Sequence, residues 1–313
     1  MPALCQRFPL RRRVPPPMLF INVILPVFVI VLAGYLLQRR AQLDLRPLAD
    51  SSLYLFTPAL VFASLLRHEL VVEQLGRFFV FMLLYTAAMT VIAAMIGRGC
   101  RLRGKEGRAL VLTTAMMNVG NFGLPLVMFA YGQEALSLSV LAFVLFNFSL
   151  SSYAIVVAQG ETGLGEATWN MLRIPLVHAT VLAFLCKAIG WVPPEFVMRP
   201  VELLGQAAVP VMLSLLGMQL ARVNAVSGWG FCTLATGLRL VVAPLVGVAL
   251  AALLGIDGLA RKVLILQTST PSAVLTLLYS VRYNTRPDLV SGTILLSTLL
   301  SAVSLTVILY LLG

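Results

Sequence analysis

The sequence predicts an all-α membrane protein: ten transmembrane helices as two inverted five-helix repeats, with two crossed, proline-broken helices at spans 4 and 9. Three observations predict it. The chain is 59% hydrophobic and 11% charged, where a soluble domain usually carries roughly 25% charged residues. Apolar runs long enough to cross a hydrocarbon core of about 30 Å recur along its length. Two of those runs are interrupted at corresponding places in the two halves, by Asn118-Val119-Gly120-Asn121-Phe122-Gly123-Leu124-Pro125 and by Gln267-Thr268-Ser269-Thr270-Pro271-Ser272.

Taken in order, residues 1–17 carry Arg7, Arg11, Arg12, Arg13 and three consecutive prolines. The apolar run behind them is too long for a signal peptide and lacks an A-x-A cleavage site. They read as a leader, either disordered or a misassigned start with Met18 as the initiator. Ten spans follow, near 18–37, 48–66, 76–97, 108–130, 135–158, 169–190, 198–220, 228–254, 261–281 and 289–312. The first repeat is 18–158 and the second 169–313, joined by a short cytoplasmic linker at 159–168.

The prolines carry the repeat. Pro26, Pro58 and Pro125 fall in spans 1, 2 and 4, spaced by 32 and 67 residues. Pro175, Pro210 and Pro271 fall in spans 6, 7 and 9, spaced by 35 and 61. Five spans per half is an odd number, so the halves have opposite topology. Lys and Arg set the orientation: the loops after odd spans hold twelve and the opposite side six, or ten with the leader. The positive-inside rule then puts the odd loops in the cytoplasm and both termini outside, in a plasma membrane.

Glycine costs about 1 kcal/mol and proline about 3 in a helix interior. Non-helical backbone at membrane depth survives only where protein or a water-filled cavity satisfies it. A pair of interrupted spans in matching halves therefore points to a carrier's binding site. Thr270-Pro271 reads as an N-cap and first helical residue, and Gly123-Leu124-Pro125 reads similarly. Each half-helix start offers unpaired N–H groups and about half a positive charge, which suits a carboxylate. The predicted substrate-binding residues are Asn118, Asn121, Gly123, Pro125, Thr268, Ser269, Thr270, Pro271 and Ser272. The plainer alternative is that they merely satisfy the freed backbone of two kinked helices.

Arg239 is the one charge deep in a span, and it reads as an anion attractor or as a partner for helix-end carbonyls. No acidic residue sits at a span centre, so a carboxylate proton relay is not evident. Proton coupling would run through the substrate's own proton or a residue nearer the surface, and sodium held by carbonyls and hydroxyls is the other reading. The net charge of +11 does not indicate nucleic acid, because the basic residues lie in short loops between spans. Gly99 to Lys105 spells GxxxxGK but is followed by Glu106 and preceded by no strand, which excludes a phosphate-binding loop. His68 and His178 are too far apart to hold a metal with HExxH spacing. The residues expect no catalytic set, metal or cofactor.

Asn118 to Leu126 resembles the N-x-G-N-x-G-[LI]-P-L break of the auxin efflux carrier family, which contains plant PIN carriers and bacterial malonate-type permeases. Pro271 with Tyr283-Asn284-Thr285-Arg286-Pro287-Asp288 resembles that family's second break and following turn. Arg239 to Pro244 resembles the R-x-x-x-x-P of its eighth span. The similarity runs from Met18 to the C-terminus, and the short central loop is that of a bacterial-type member. The resemblance implies a scaffold of spans 1, 2, 6 and 7 that dimerises, and a transport domain of spans 3–5 and 8–10. It implies organic-anion substrates such as malonate or auxin, carried by alternating access without enzymatic chemistry. Two rival readings are a sodium-coupled symporter of a neutral or sterol-like solute and a sensor that binds an anion without moving it.

Overall fold

The computed structural model of the protein describes residues 15–67, 72–159, 175–223 and 226–313. Regular structure among them is helical throughout, apart from one isolated antiparallel bridge. In the first half, α1 is Pro16–Ala41, α2 Arg46–Arg67, α3 Val72–Gly99 and α4 Lys105–Ala115. Helix resumes at 119–131 as α5 and at 133–159 as α6, divided by Gly132 with φ 81° and ψ −165°. That positive φ is open to glycine at little cost.

The second half has α7 at Pro175–Ala188, α8 at Glu195–Ala221 and α9 at Trp229–Leu253. It ends with α10 at Gly258–Thr268, α11 at Leu275–Arg282 and α12 at Pro287–Leu312. Among the described residues, seven helical stretches are long and apolar enough to cross a membrane. Helices α4, α7, α10 and α11, at 8 to 14 residues, are shorter.

Helix α1 begins at Pro16, two residues before the expected span, with extended Pro15 as its N-cap. A proline suits the first helical position because its missing N–H has no intrahelical partner there. Pro16 and Pro17 therefore belong to the helix and not to the expected leader. Residues 1–14 of that leader, and 160–168 of the expected linker, lie outside the described residues.

Four of the helices contain a π-turn, at Phe20–Ile24, Ser52–Phe56, Val119–Gly123 and Leu238–Val242. Each ends two residues before a proline, namely Pro26, Pro58, Pro125 and Pro244. A proline lacks the N–H and crowds the carbonyl one turn back. Widening the preceding turn by one residue relieves both problems without ending the helix.

The helices pack in two groups. Helices α1, α2, α7 and α8 hold to one another, and α3 to α6 hold to α9 to α12. The tightest approach is α1 on α8. A Cβ built on Gly217 would lie 1.9 Å from the Val31 carbonyl oxygen, and one on Gly34 2.1 Å from that of Ser214. Only glycine permits this backbone contact. In the second group, Arg286 ties the start of α4 to the start of α12 through Glu106 (2.5 Å) and Asp288 (2.8 Å). The Asp288 hydrogen bond pushes the Arg286 guanidinium further above its ordinary pKa.

Candidate functional site

Both interruptions fall in the second group, and there they meet. Helix α4 stops at Ala115 and Met116 turns extended, at φ −90° and ψ 104°. Helix α10 stops at Thr268, and the chain runs without helix to Val274. The two strands of irregular backbone satisfy each other: Asn118 N–H donates to Pro271 O at 3.0 Å, and Ala273 N–H to Met116 O at 2.9 Å. This is the antiparallel bridge of Met117 with Ser272. It answers the requirement that membrane-depth backbone find partners inside the protein. The Ser272 hydroxyl adds a bond to Thr113 O (2.6 Å), and its N–H donates to Ser297 Oγ (3.2 Å) on α12.

The bridge corrects the expected helix starts. Thr270-Pro271 is not an N-cap with its first residue: α11 starts at Leu275, and the Thr270 hydroxyl donates back to Gln267 O at 2.7 Å. Pro271 is spent on the bridge, where its carbonyl is the acceptor. On the other side the helix starts earlier than Pro125, at Val119, with Asn118 as N-cap at φ −84° and ψ 63°. Pro125 sits six residues inside, one of the prolines preceded by a π-turn.

The two breaks are unequal. Thr268, Ser269, Thr270 and Ser272 are fully buried. The first two hydroxyls both donate to Ile265 O, at 2.9 and 2.6 Å. The N–H groups leading into α11 are also engaged, on Ser297 and Met116. Residues of the second break thus serve its own backbone. At the first break, Gly120 and Asn121 are half-buried and the start of α5 receives no side-chain cap. The N–H groups of Val119 to Phe122 have no helical carbonyl one turn back. Asn118 is buried and its Nδ2 has no hydrogen-bond partner. An unpartnered buried donor costs about 1–3 kcal/mol.

Arg239 is fully buried, the one such charged residue among those described. It projects from the π-turn of α9 onto the ends of both stopped helices. Nη1 donates to Thr114 O (3.1 Å) of α4, Nη2 to Thr268 O (2.6 Å) and Nε to Thr270 O (2.7 Å). Nη1 also meets the Tyr85 hydroxyl, which in turn donates to Thr268 O at 3.4 Å. The geometry is that of a helix-end partner.

Sequence reasoning did not select Tyr85 or Ser139, and it placed Gln267 at the head of the second interruption without giving it a role. Gln267 Nε2 donates to Ser139 Oγ, while its Oε1 has no partner and faces Gly123. A Cβ on Gly123 would fall 2.0 Å from that oxygen, so a larger residue there would have to displace the Gln267 amide. The available signal was a lone amide or tyrosine within an apolar run.

The first break lies at the boundary of the two groups. Helix α8 packs on residues 119–123, and Phe28 of α1 meets Phe122 edge-on at 6.0 Å. Along the same boundary, a cavity of about 240 Å³ opens between α2 and α8 on one side and α5 and α6 on the other. Its polar lining is Ser64, Arg67, Gln133, Ser137, Glu202 and Gln206. Arg67 is paired there with Glu202, Nε to Oε1 at 2.8 Å. Met128, at its wall, is about 15 Å along α5 from Asn118 at 1.5 Å per residue.

The family model "Membrane transport protein" matches residues 19–168 and 163–309. An uncharacterized transporter of Methanothermobacter thermautotrophicus is 28% identical, over 91% of this chain and 95% of its own length. A protein of Rhizobium meliloti, provisionally named a malonate transporter, is 27% identical over 93% and 95%. Auxin efflux carrier component 8 of Arabidopsis thaliana is 24% identical over 42% of this chain and 38% of its own length. The chain belongs to the membrane transport protein family that includes the auxin efflux carriers, a family of multi-pass membrane transporters and not of enzymes.

Proposed function

We propose that the protein is a secondary carrier of small organic carboxylates, working by alternating access in a plasma membrane with both termini outside. The observation that carries this reading is the orphan donor Asn118 Nδ2 at the uncapped N-terminus of α5. A helix start with unpaired N–H groups attracts an anion. An adjacent amide donor without a protein partner is what a carboxylate oxygen would fill.

In this reading α1 to α6 and α7 to α12 are the two inverted five-helix repeats, with α4–α5 and α10–α11 each counting as one broken span. Asn118, Asn121, Gly123 and Pro125 form the substrate side of the crossing. Thr268, Ser269, Thr270, Pro271 and Ser272 hold the backbone that supports it. The group of α1, α2, α7 and α8 is the scaffold, through which a homodimer would form, and the other group moves against it. The cavity lined by Arg67 and Gln133 is the outer approach to the crossing. Malonate enters as the first substrate to test, through the Rhizobium relative's name.

The test is stabilisation of the purified protein by a panel of malonate, other carboxylates including indole-3-acetate, and malonamide as the neutral counterpart. Malonate or another carboxylate should raise the melting temperature saturably and malonamide should not. Equal stabilisation by the amide would remove the anion from the reading.

A further inference from the structure

We propose that the Arg239 guanidinium stands, as a fixed part of the protein, where a diffusible coupling cation would otherwise bind, so that substrate binding and transport use no sodium. The inference rests on the carrier reading above and names what that site does not require. Broken helices bring two kinds of ends to the centre of the fold. Their N-terminal ends attract anions, and their C-terminal ends, with unwound carbonyls, are the groups that coordinate sodium in such carriers. Here the carbonyls of Thr114, Thr268 and Thr270, drawn from α4 and from the end of α10, converge on one guanidinium within 2.6–3.1 Å.

The charge balance of the interior opposes a bound cation as well. Arg239 is fully buried, and no Asp or Glu is buried among the described residues. A sodium ion on the same carbonyls would touch a fixed like charge in a low-dielectric setting, with no carboxylate to offset the repulsion. Tyr85 closes the remaining side, its ring 5.9 Å from the guanidinium carbon. Arg239 thereby neutralises the two carbonyl ends and leaves the N–H end of α5 uncompensated. A bound anion supplies the missing charge itself.

The test is thermal stability of the purified protein in sodium chloride against choline chloride at equal ionic strength, for the wild type, Arg239→Lys and Arg239→Ala. The wild type and Arg239→Lys should melt alike in both salts. Arg239→Ala vacates the carbonyls and should gain a saturable, sodium-dependent rise of about 3 °C or more, as mass action gives for a ligand well above its dissociation constant. Saturable stabilisation of the wild type by sodium over choline would overturn the proposal, and would do so even if Arg239→Ala failed to fold. The series contains no carboxylate, so it decides the cation question whether or not malonate is a substrate.

Discussion

Gly217→Ala is expected to lower the melting temperature by about 5 °C or more and to cut the yield of monodisperse protein. Overpacking a tight contact typically costs about 1–3 kcal/mol, and this one is tighter than most. The added methyl would sit 1.9 Å from the Val31 carbonyl oxygen and 2.8 Å from the Tyr35 nitrogen, both backbone atoms that cannot rotate away. Helices α1 and α8 would have to separate, and α8 is also the helix that meets the start of α5. Gly237→Ala in α9 is the matched control. A Cβ there meets nothing within 4 Å, so the substitution should be neutral or stabilising by up to about 1 kcal/mol through helix propensity. Thermal melts of the two variants beside the wild type check both statements, and equal losses would remove the close-contact explanation.

Asn118→Ala is expected to weaken carboxylate binding by about 10-fold or more while leaving thermal stability unchanged or slightly raised. A hydrogen bond to a charged group contributes about 1.5–3 kcal/mol, which is about 10- to 100-fold in affinity. The stability half of the prediction is what distinguishes a ligand contact from a structural one. The Asn118 side chain makes no cap bond to α5, and its amide nitrogen has no partner to lose. Its backbone N–H, which holds the bridge to Pro271, survives the substitution. Titration of malonate by its effect on melting, in the variant and the wild type, measures both quantities. A variant that melts low and binds normally would make Asn118 a structural residue.

The breaks could be read from sequence because Gly, Asn and Pro at 118–125, and Thr-Pro at 270–271, contradict the apolar helices around them. Where each helix restarts could not. Local capping rules make Thr270-Pro271 a helix start, but the Pro271 carbonyl is claimed by an amide 153 residues away, at Asn118. The bridge sets where the helix stops and restarts at both breaks, and a backbone pairing leaves no mark on residue type. The same holds for Arg239. Its depth was evident, but its partners are three carbonyls that no side chain announces. The asymmetry between breaks was hidden too, since serine and threonine are equally suited to a ligand and to the preceding turn's carbonyl. The cavity joins Arg67 to Glu202 and Gln133 across three helices, a meeting that only packing reveals. Three of the four π-turns precede prolines of the repeat, Pro26, Pro58 and Pro125, although proline position alone does not separate a widened turn from a stop.

A small carboxylate that binds at the start of α5 is expected to be carried across the membrane. The most direct measurement is uptake of labelled malonate into proteoliposomes holding the wild type or Asn118→Ala, with a carboxylate panel as competitors. Uptake by the wild type should be saturable, blocked by other carboxylates but not by malonamide, and reduced about 10-fold or more at low substrate concentration in Asn118→Ala. Uptake indifferent to every carboxylate, or equal in the two proteins, would contradict the carboxylate reading.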